Sequence, residues 1–393
     1  MRDYDLVVFG ATGFTGQLVA DYIAKVGAPA RWAIAGRNRD KLAALGHDVP
    51  ILVADALDPN AVAKIARATK VVCTTAGPFA KYGSELVAAC AEAGTHYCDL
   101  TGEVQWMRRM IDAHHARARE TGARIVHSCG FDSIPSDLGT WALQQEFHER
   151  FGRYASAVTA LFGESSGGFS GGTVASAMQT SSEAAVDRDV RRILANPYAL
   201  DPDPQGPRPP APDERSIGWD ARLGLFTIPF VMAQVNSRVV RRGHALAGFP
   251  WGEDFRYREV MSTPGSARGL AMAVGVTGAL AGLAFALKRP TLRDLLARRA
   301  PQPGEGPSQE RRERGHWKTR LVGESGSDRL IYVASDRADP GYGSTAKMLG
   351  ESALSLALDP LSSEGGCLTP SVAMGTFLVE RLRAAGLTFG PAA

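Results

Sequence analysis

Residues 5–27 read DLVVFGATGFTGQLVADYIAKVG, and this stretch decides the fold. An apolar run ends at Gly10, and a helical run opens at Phe14. Between and into them, Gly10, Gly13 and Gly16 stand three residues apart. Gly10 sits where a strand must turn sharply and needs a permissive backbone. Gly13 lets the main chain approach a diphosphate, and Gly16 lets the helix pack close to the sheet. The phosphate would sit at the helix N-terminus, against unpaired N–H groups and the positive end of the dipole. GxxGxxG is a spacing variant of the commoner GxGxxG, and glycines at such a turn can be purely geometric. The strands and helices downstream of Gly16 decide between the two.

Outward from this turn, short apolar runs alternate with helical ones. RWAIAG (31–36), VPILVAD (49–55), KVVCTTAG (70–77), THYCDL (95–100) and ARIVHSCG (123–130) read as five further strands. Six strands with helices between them predict a Rossmann-type α/β domain over residues 1–150, its parallel sheet covered on both faces. The pattern then changes. ASAVTALFG (155–163) alternates like a half-buried strand, and a glycine-rich loop, GESSGGFSGG (163–172), precedes a helix near Thr173–Ala195. NPYALDPDPQGPRPPAPDE (196–214) must be irregular, given its prolines. HWKTRLVGES (316–325) and DRLIYVASD (328–336) form an antiparallel hairpin. Residues 151–345 therefore read as a second, α+β domain for substrate or dimerisation, and 346–393 as C-terminal helices. TPSVAMGTFLVERLRAAG (369–386) is an amphipathic helix capped by Thr369, with Pro370 at its first position.

The bulk properties are those of an ordinary globular chain. The chain has 393 residues, 45% hydrophobic and 22% charged, with a formal net charge of +3, which makes no case for nucleic acid. Five cysteines without a CxxC pair fit a reduced, cytoplasmic chain, and the N-terminus carries no apolar leader core. No metal is expected, since HExxH and Cys/His ligand spacings are missing from the sequence. His114–His115 is read as part of a solvated helix face. GESSG and GFSGG match a hydrolase nucleophile elbow, but neither runs from strand through serine into helix.

The second strand fixes the cofactor. An NAD site carries an acidic residue there to hold the ribose 2′-OH. This chain has AGRNR (35–39) instead. Arg37 offers a planar fork to a 2′-phosphate and a face to adenine, so NADPH is expected over NADH. Arg39 and Lys41 are weaker candidates for the same phosphate. Asp55, after the third strand, would face the adenine, and Ala76, Gly77 and Pro78, after the fourth, the nicotinamide.

GATGFTG, AGR, AGPFAKYG, HYCDLTGE and GFDSIPSDLG occur in this order along the chain, and DPGYGSTAKMLGESAL and GGCLTPSVAMGTFLVERL come later. In this it resembles the saccharopine dehydrogenase-like oxidoreductases across almost its whole length, and most of all their trans-acting enoyl reductase branch of mycobacteria and related actinobacteria. The resemblance implies cofactor contacts at Gly10, Thr12, Gly13, Phe14, Thr15, Arg37, Ala76, Gly77 and Pro78. It implies substrate-facing loops at Asp99–Glu103 and Gly130–Asp137, and a C-terminal helix packed on the first domain. It also implies reduction of an acyl double bond in lipid or polyketide metabolism, on a chain held by the acyl carrier protein of a polyketide synthase.

Such a reaction needs a hydroxyl or acid near the thioester. Tyr82, Tyr97, Asp132 and Ser133 stand at strand ends and are the candidates. The tyrosines can equally be half-buried aromatics with satisfied hydroxyls, and Asp132 a turn former. GLAMAVGVTGALAGLAFAL (269–287) is 19 residues without a charge. It reads as a helix buried at a domain or subunit interface, as an apolar wall or peripheral membrane contact, or as a membrane span. Two other functions stay open: imine reduction or amino-acid oxidation as in saccharopine reductase, and a non-catalytic, membrane-associated NADP-binding protein.

Replacing Arg37 by alanine is expected to weaken NADPH binding at least tenfold and to leave NADH binding nearly unchanged, as read by fluorescence titration. Equal losses for both nucleotides would refute a phosphate clamp.

Overall fold

The structure is a computed structural model that describes residues 2–166, 171–289, 291–292 and 306–392. The six expected strands of the first domain form as β1 (Tyr4–Phe9), β2 (Trp32–Gly36), β3 (Ile51–Val53), β4 (Thr69–Thr74), β5 (His96–Cys98) and β6 (Arg124–Val126). A second set comes next: β7 (Ala157–Ser165), β8 (Gly218–Asp220), β9 (Leu225–Pro229), β10 (Arg256–Pro264), β11 (Trp317–Ser325) and β12 (Asp328–Asp336). The C-terminal segment adds β13 (Gly366–Leu368) and β14 (Thr388–Pro391).

The first sheet runs β13-β6-β5-β4-β1-β2-β3 and is parallel throughout. Its first six strands have the 3-2-1-4-5-6 order of dinucleotide-binding folds. Leu6 and Val8 of β1 enter one apolar core, Val7 and Phe9 the other. That two-residue period, apolar on both sides, is what a strand covered by helices on both faces requires. One cover is the helix Thr345–Leu358, which places Met348, Leu349 and Leu354 in the core with Leu6 and Val8. Its Gly350 lies so close to Tyr22 that a Cβ would stand 2.6 Å from the ring.

The second sheet runs β14-β12-β11-β7-β10-β9-β8 and is antiparallel except between β7 and β10. The expected hairpin closes with Ser325 opposite Asp328, and Gly326 takes φ +59° in the two-residue loop. β13 and β14 were not legible as strands. They tie the last residues of the chain to opposite sheets.

Four expectations change. The helix near Thr173–Ala195 is two helices, Gly171–Val186 and Arg188–Ala195, because the Asp187 carboxylate accepts from the Asp189 and Val190 N–H groups and starts a new one. Residues 167–170 of the glycine-rich loop lie outside the described residues. The helix Pro370–Ala384 begins after Thr369, but the Thr369 hydroxyl does not cap it. Asp137 does: its carboxylate accepts from Ser371 N and Oγ, both at 2.8 Å. That helix also breaks at Gly375, where φ is +47°. His115 is half-buried rather than solvated, and its Nδ1 accepts from Cys367 N at 3.1 Å, at the edge strand β13. Lastly, the apolar segment forms the helix Ala267–Lys288, and it is not buried at a domain interface. Within 267–286 only Gly269 and Ala273 are buried.

The helix Phe14–Val26 crosses the sheet at its closest on Gly16, where a Cβ would stand 2.2 Å from Gly10 O and 2.7 Å from Thr75 Oγ1. Backbone cannot move away as a side chain can. Gly16→Ala is expected to cost about 1–3 kcal/mol of stability and to weaken dinucleotide binding, as read by denaturant melts and titration; an unchanged midpoint would refute the constraint.

Candidate active site

All the turns that matter leave the carboxyl ends of parallel strands, so they gather along one edge of the first sheet. After β1, Gly10 takes φ +80° and its N–H bonds Ala35 O at 2.9 Å. Gly13 N then returns to Gly10 O at 3.0 Å. Gly13 is the extended N-cap of the helix Phe14–Val26, and no side chain caps that end. Thr12 and Gly13 are exposed, and a Cβ on Gly13 would meet only Gly10 O at 3.3 Å. With the Gly10 and Gly13 N–H groups spent inside the turn, the first N–H groups of the helix from Phe14 on are the open donors, and this cradle fits a diphosphate.

The turn after β4 closes onto the same place. Ala76 N would be 3.1 Å from a Cβ on Gly10, and Thr75 Oγ1 donates to Gly10 O at 3.3 Å. The expected cofactor residues Gly10, Ala76, Gly77 and Pro78 are thus neighbours, with Gly77–Pro78 in cis. The next helix, Phe79–Tyr82, is fixed from elsewhere: Phe79 N and Ala80 N each donate to the Glu103 carboxylate at 2.8 Å. Ser176 Oγ donates to it as well, at 2.7 Å. Burial raises the Glu103 pKa, against these bonds. Glu103 is therefore a brace inside the β4 turn rather than a substrate contact. Its partners lie 23, 24 and 73 residues away, so no local pattern announces it.

Arg37 comes directly after β2 and is exposed, with no hydrogen bond or ion pair among the described residues. Next to it, Asn38 caps the helix Arg39–Ala43 through Lys41 N at 2.9 Å. Arg37 is left free for an anion, with exposed Arg39 and Lys41 beside it. Asp55 is exposed too, but its Oδ1 accepts from Leu57 N at 3.0 Å and shapes the turn after β3. Phe14 and Thr15 are half-buried. The Phe14 ring is met from the second domain: Tyr342 lies edge-on at 4.9 Å, and the Arg312 guanidinium stands 5.4 Å from the ring center.

Beyond β5 and β6 the sequence candidates separate. Tyr97 is fully buried, and its hydroxyl donates to Asp99 Oδ2 at 3.0 Å. Asp99 also accepts from Thr101 N and Ser128 N, and bonds His127 Nδ1 at 2.7 Å. This placement removes Tyr97 as a hydroxyl donor to substrate: a satisfied hydroxyl with no open face has nothing to reach. Asp99 is likewise an interior strut between β5 and β6. Tyr82 is half-exposed, and its hydroxyl has no partner among the described residues. Ser133 is buried and donates to Asn236 Oδ1 at 3.0 Å, so it too faces inward.

Asp132 differs from all of these. It is partly exposed, and its carboxylate has neither hydrogen bond nor ion pair among the described residues. Burial alone pushes its pKa up to about 6. Behind it, Asn236 Nδ2 donates to Glu259 Oε1 at 2.6 Å, while Tyr257 and Ser136 donate to Oε2 at 2.8 and 3.0 Å. Burial raises Glu259 to about 7, and the nearby Asp132 adds to the rise. Beside Asp132, Phe131 packs its ring 6.3 Å from Phe162 and 4.9 Å from Trp317, and Phe162 stacks on Phe230 at 4.3 Å. An acid with a raised pKa therefore directly follows Phe131, whose ring joins a buried aromatic cluster with Phe162 and Trp317 of the second sheet.

The arginines of SRVVRR (237–242) do not face this acid. Arg238 pairs with Asp213 at 2.8 Å, Arg241 donates to Pro197 O and Tyr257 O, and Arg242 to Leu200 O and Cys367 O. They pin the proline-rich loop to the body of the protein.

Residues 6–126 match the model of the saccharopine dehydrogenase NADP binding domain. The trans-acting enoyl reductase of Mycobacterium ulcerans is 41% identical over 98% of this chain and 97% of its own. A Mycobacterium tuberculosis protein whose name marks it as a candidate trans-acting enoyl reductase is 44% identical, over 98% and 97%. The apo saccharopine dehydrogenase (L-Glu forming) of Saccharomyces cerevisiae covers 99% of both chains with a TM-score of 0.57 at 13% identity, a likeness of fold. The Rossmann sheet, the cradle and these matches together make the chain an NADP-dependent oxidoreductase, and it belongs to the saccharopine dehydrogenase-like family of trans-acting enoyl reductases.

Proposed function

We propose that the protein reduces the carbon–carbon double bond of an enoyl thioester in a lipid or polyketide intermediate, with NADPH. The observation that carries this reading is Asp132, an acid of raised pKa without a partner among the described residues, next in sequence to Phe131 of the Phe131–Phe162–Phe230 cluster. When bound, NADPH supplies the hydride that adds to the β-carbon. The uncapped N–H groups that open the helix Phe14–Val26 would hold its diphosphate, Arg37 its 2′-phosphate, and the Ala76–Pro78 turn would border the nicotinamide. The aromatic cluster lays down the acyl chain and excludes water. Asp132, protonated, gives its proton to the α-carbon as the enolate collapses, and is reprotonated from solvent through its open side. Tyr82 donates to the thioester oxygen. Ser133 and Asn236 hold the Asp132 loop against Glu259.

The relatives' trans-acting name fits a substrate presented by the acyl carrier protein of a separate polyketide synthase. The exposed Arg311 and Arg314 would meet its acidic surface. We place the reaction in the cytoplasm, with a lipid surface close by. Saccharopine-type imine reduction needs free arginines for substrate carboxylates, and Arg238, Arg241 and Arg242 are spent on the proline-rich loop.

Since the donor is the protonated form, kcat should be highest below pH 6 and fall as pH rises through about 6. Asp132→Asn should lower kcat about 10²-fold, abolish that pH limb and leave the NADPH Kd unchanged. The measurement is the loss of reduced-nicotinamide absorbance with carrier-bound enoyl thioesters of varied length. No turnover on any of them, or an Asp132→Asn enzyme of full activity, would overturn the proposal.

A further inference from the structure

The helix Ala267–Lys288 leaves Leu270, Met272, Val274, Leu283 and Phe285 open among the described residues. Val274 is 56% exposed and Phe285 55%. Through residue 280 one stripe, Gly269, Ala273, Val276, Thr277 and Leu280, is buried or half-buried where the helix meets β9 and β10, and beyond it the exposure spreads around the axis. Residues 281–285 are all exposed, and at about 3.6 residues per turn five in a row circle the axis. A Cβ added to Gly275, Gly278 or Gly282 would meet no atom within 4 Å. A protein groove covers one side of a helix. Apolar faces left open this widely, and an apolar turn open all round, call for an apolar medium.

The charges name the medium. No Asp or Glu occurs between Glu259 and Asp294, while Arg268 stands at one end of the helix and Lys288 and Arg289 at the other. Residues 267–286 have a mean hydropathy of 1.8. Basic residues at both ends of an apolar rod suit anionic headgroups above hydrocarbon.

The rod cannot cross the membrane. Gly269 is packed on Pro264 at the end of β10, and Gly306 lies against Phe14 at the dinucleotide turn. The rod's start and the chain at Gly306, 18 residues past its last residue, are thus held to one body. Residues 290–305 hold five charged side chains and so cannot recross hydrocarbon.

We propose that the helix Ala267–Lys288 inserts sideways into one leaflet of a membrane containing anionic lipid, with both ends held at the headgroup level. Its helical backbone is satisfied internally, so only side chains meet lipid. The inference does not rest on the reductase reading, because its test measures no turnover.

The full chain is floated with vesicles of phosphatidylcholine, with and without phosphatidylglycerol. It should float with both, at least tenfold more with phosphatidylglycerol, and lose that excess in high salt. Val274→Asp with Phe285→Asp should cut flotation at least tenfold and keep the NADPH Kd and melting temperature. Gly278→Leu with Gly282→Leu separates lipid from a second copy of the chain. Lipid tolerates or prefers the added leucines, whereas a helix pair packed on GALAG (278–282) would be broken by them. Val274→Trp and Phe285→Trp, quenched by brominated lipids, should report equal, shallow depths. Wild-type protein left at the bottom of the gradient, loss of flotation with the leucines, or tryptophans at opposite depths would each overturn the proposal.

Discussion

One contact governs this molecule: the carbonyl of Gly10 against the α-carbon of Gly16. There is no space for a methyl group between strand and helix. That closeness sets the angle at which the first helix leaves the sheet and aims its uncapped end at the mouth of the fold. It also brings Thr75 and Ala76 against the turn, so that the two loops flanking a dinucleotide are positioned by the same few atoms. An anion held there meets donors that were already in place, and little ordering cost accompanies binding.

The interior distributes its polar groups by a consistent rule. Glu103, Asp99, Asp137 and Glu259 are each held by several bonds, whereas Asp132 stands free among the described residues. Glu103 braces one loop, Asp99 joins two strands, Asp137 starts a distant helix, and Glu259 anchors a helix and a loop at once. Burial raises Asp137 to about 7, as it does Glu259. For both, the folded state holds the proton more tightly than the unfolded chain does. Their contribution to stability is complete below the unfolded carboxyl range and declines as pH rises through about 7.

Much of this was readable from the chain. The glycine spacing, the six apolar runs and the missing acid at Arg37 are local patterns, and local patterns give the first sheet, its turn and the cofactor. The 316–336 hairpin was legible for the same reason, since its two runs flank a two-residue turn. What escaped was long-range. Tyr97 looked available because a strand end looks exposed in sequence, yet its side chain points into the core toward Asp99. Thr369 looked like a cap because threonine before proline normally is one, and a carboxylate 234 residues away took the role. β13 and β14 are short, three and four residues, and only their neighbours make them strands.

Those two strands have a bearing on how the molecule comes into being. One completes the edge of the nucleotide sheet beside Arg124, and the other completes the opposite sheet beside Tyr332. Both are encoded after residue 365, downstream of every other strand described. A ribosome must therefore release the 365 residues before β13 ahead of the strand that completes the first sheet, and the nascent protein emerges with two raw sheet margins awaiting the same segment.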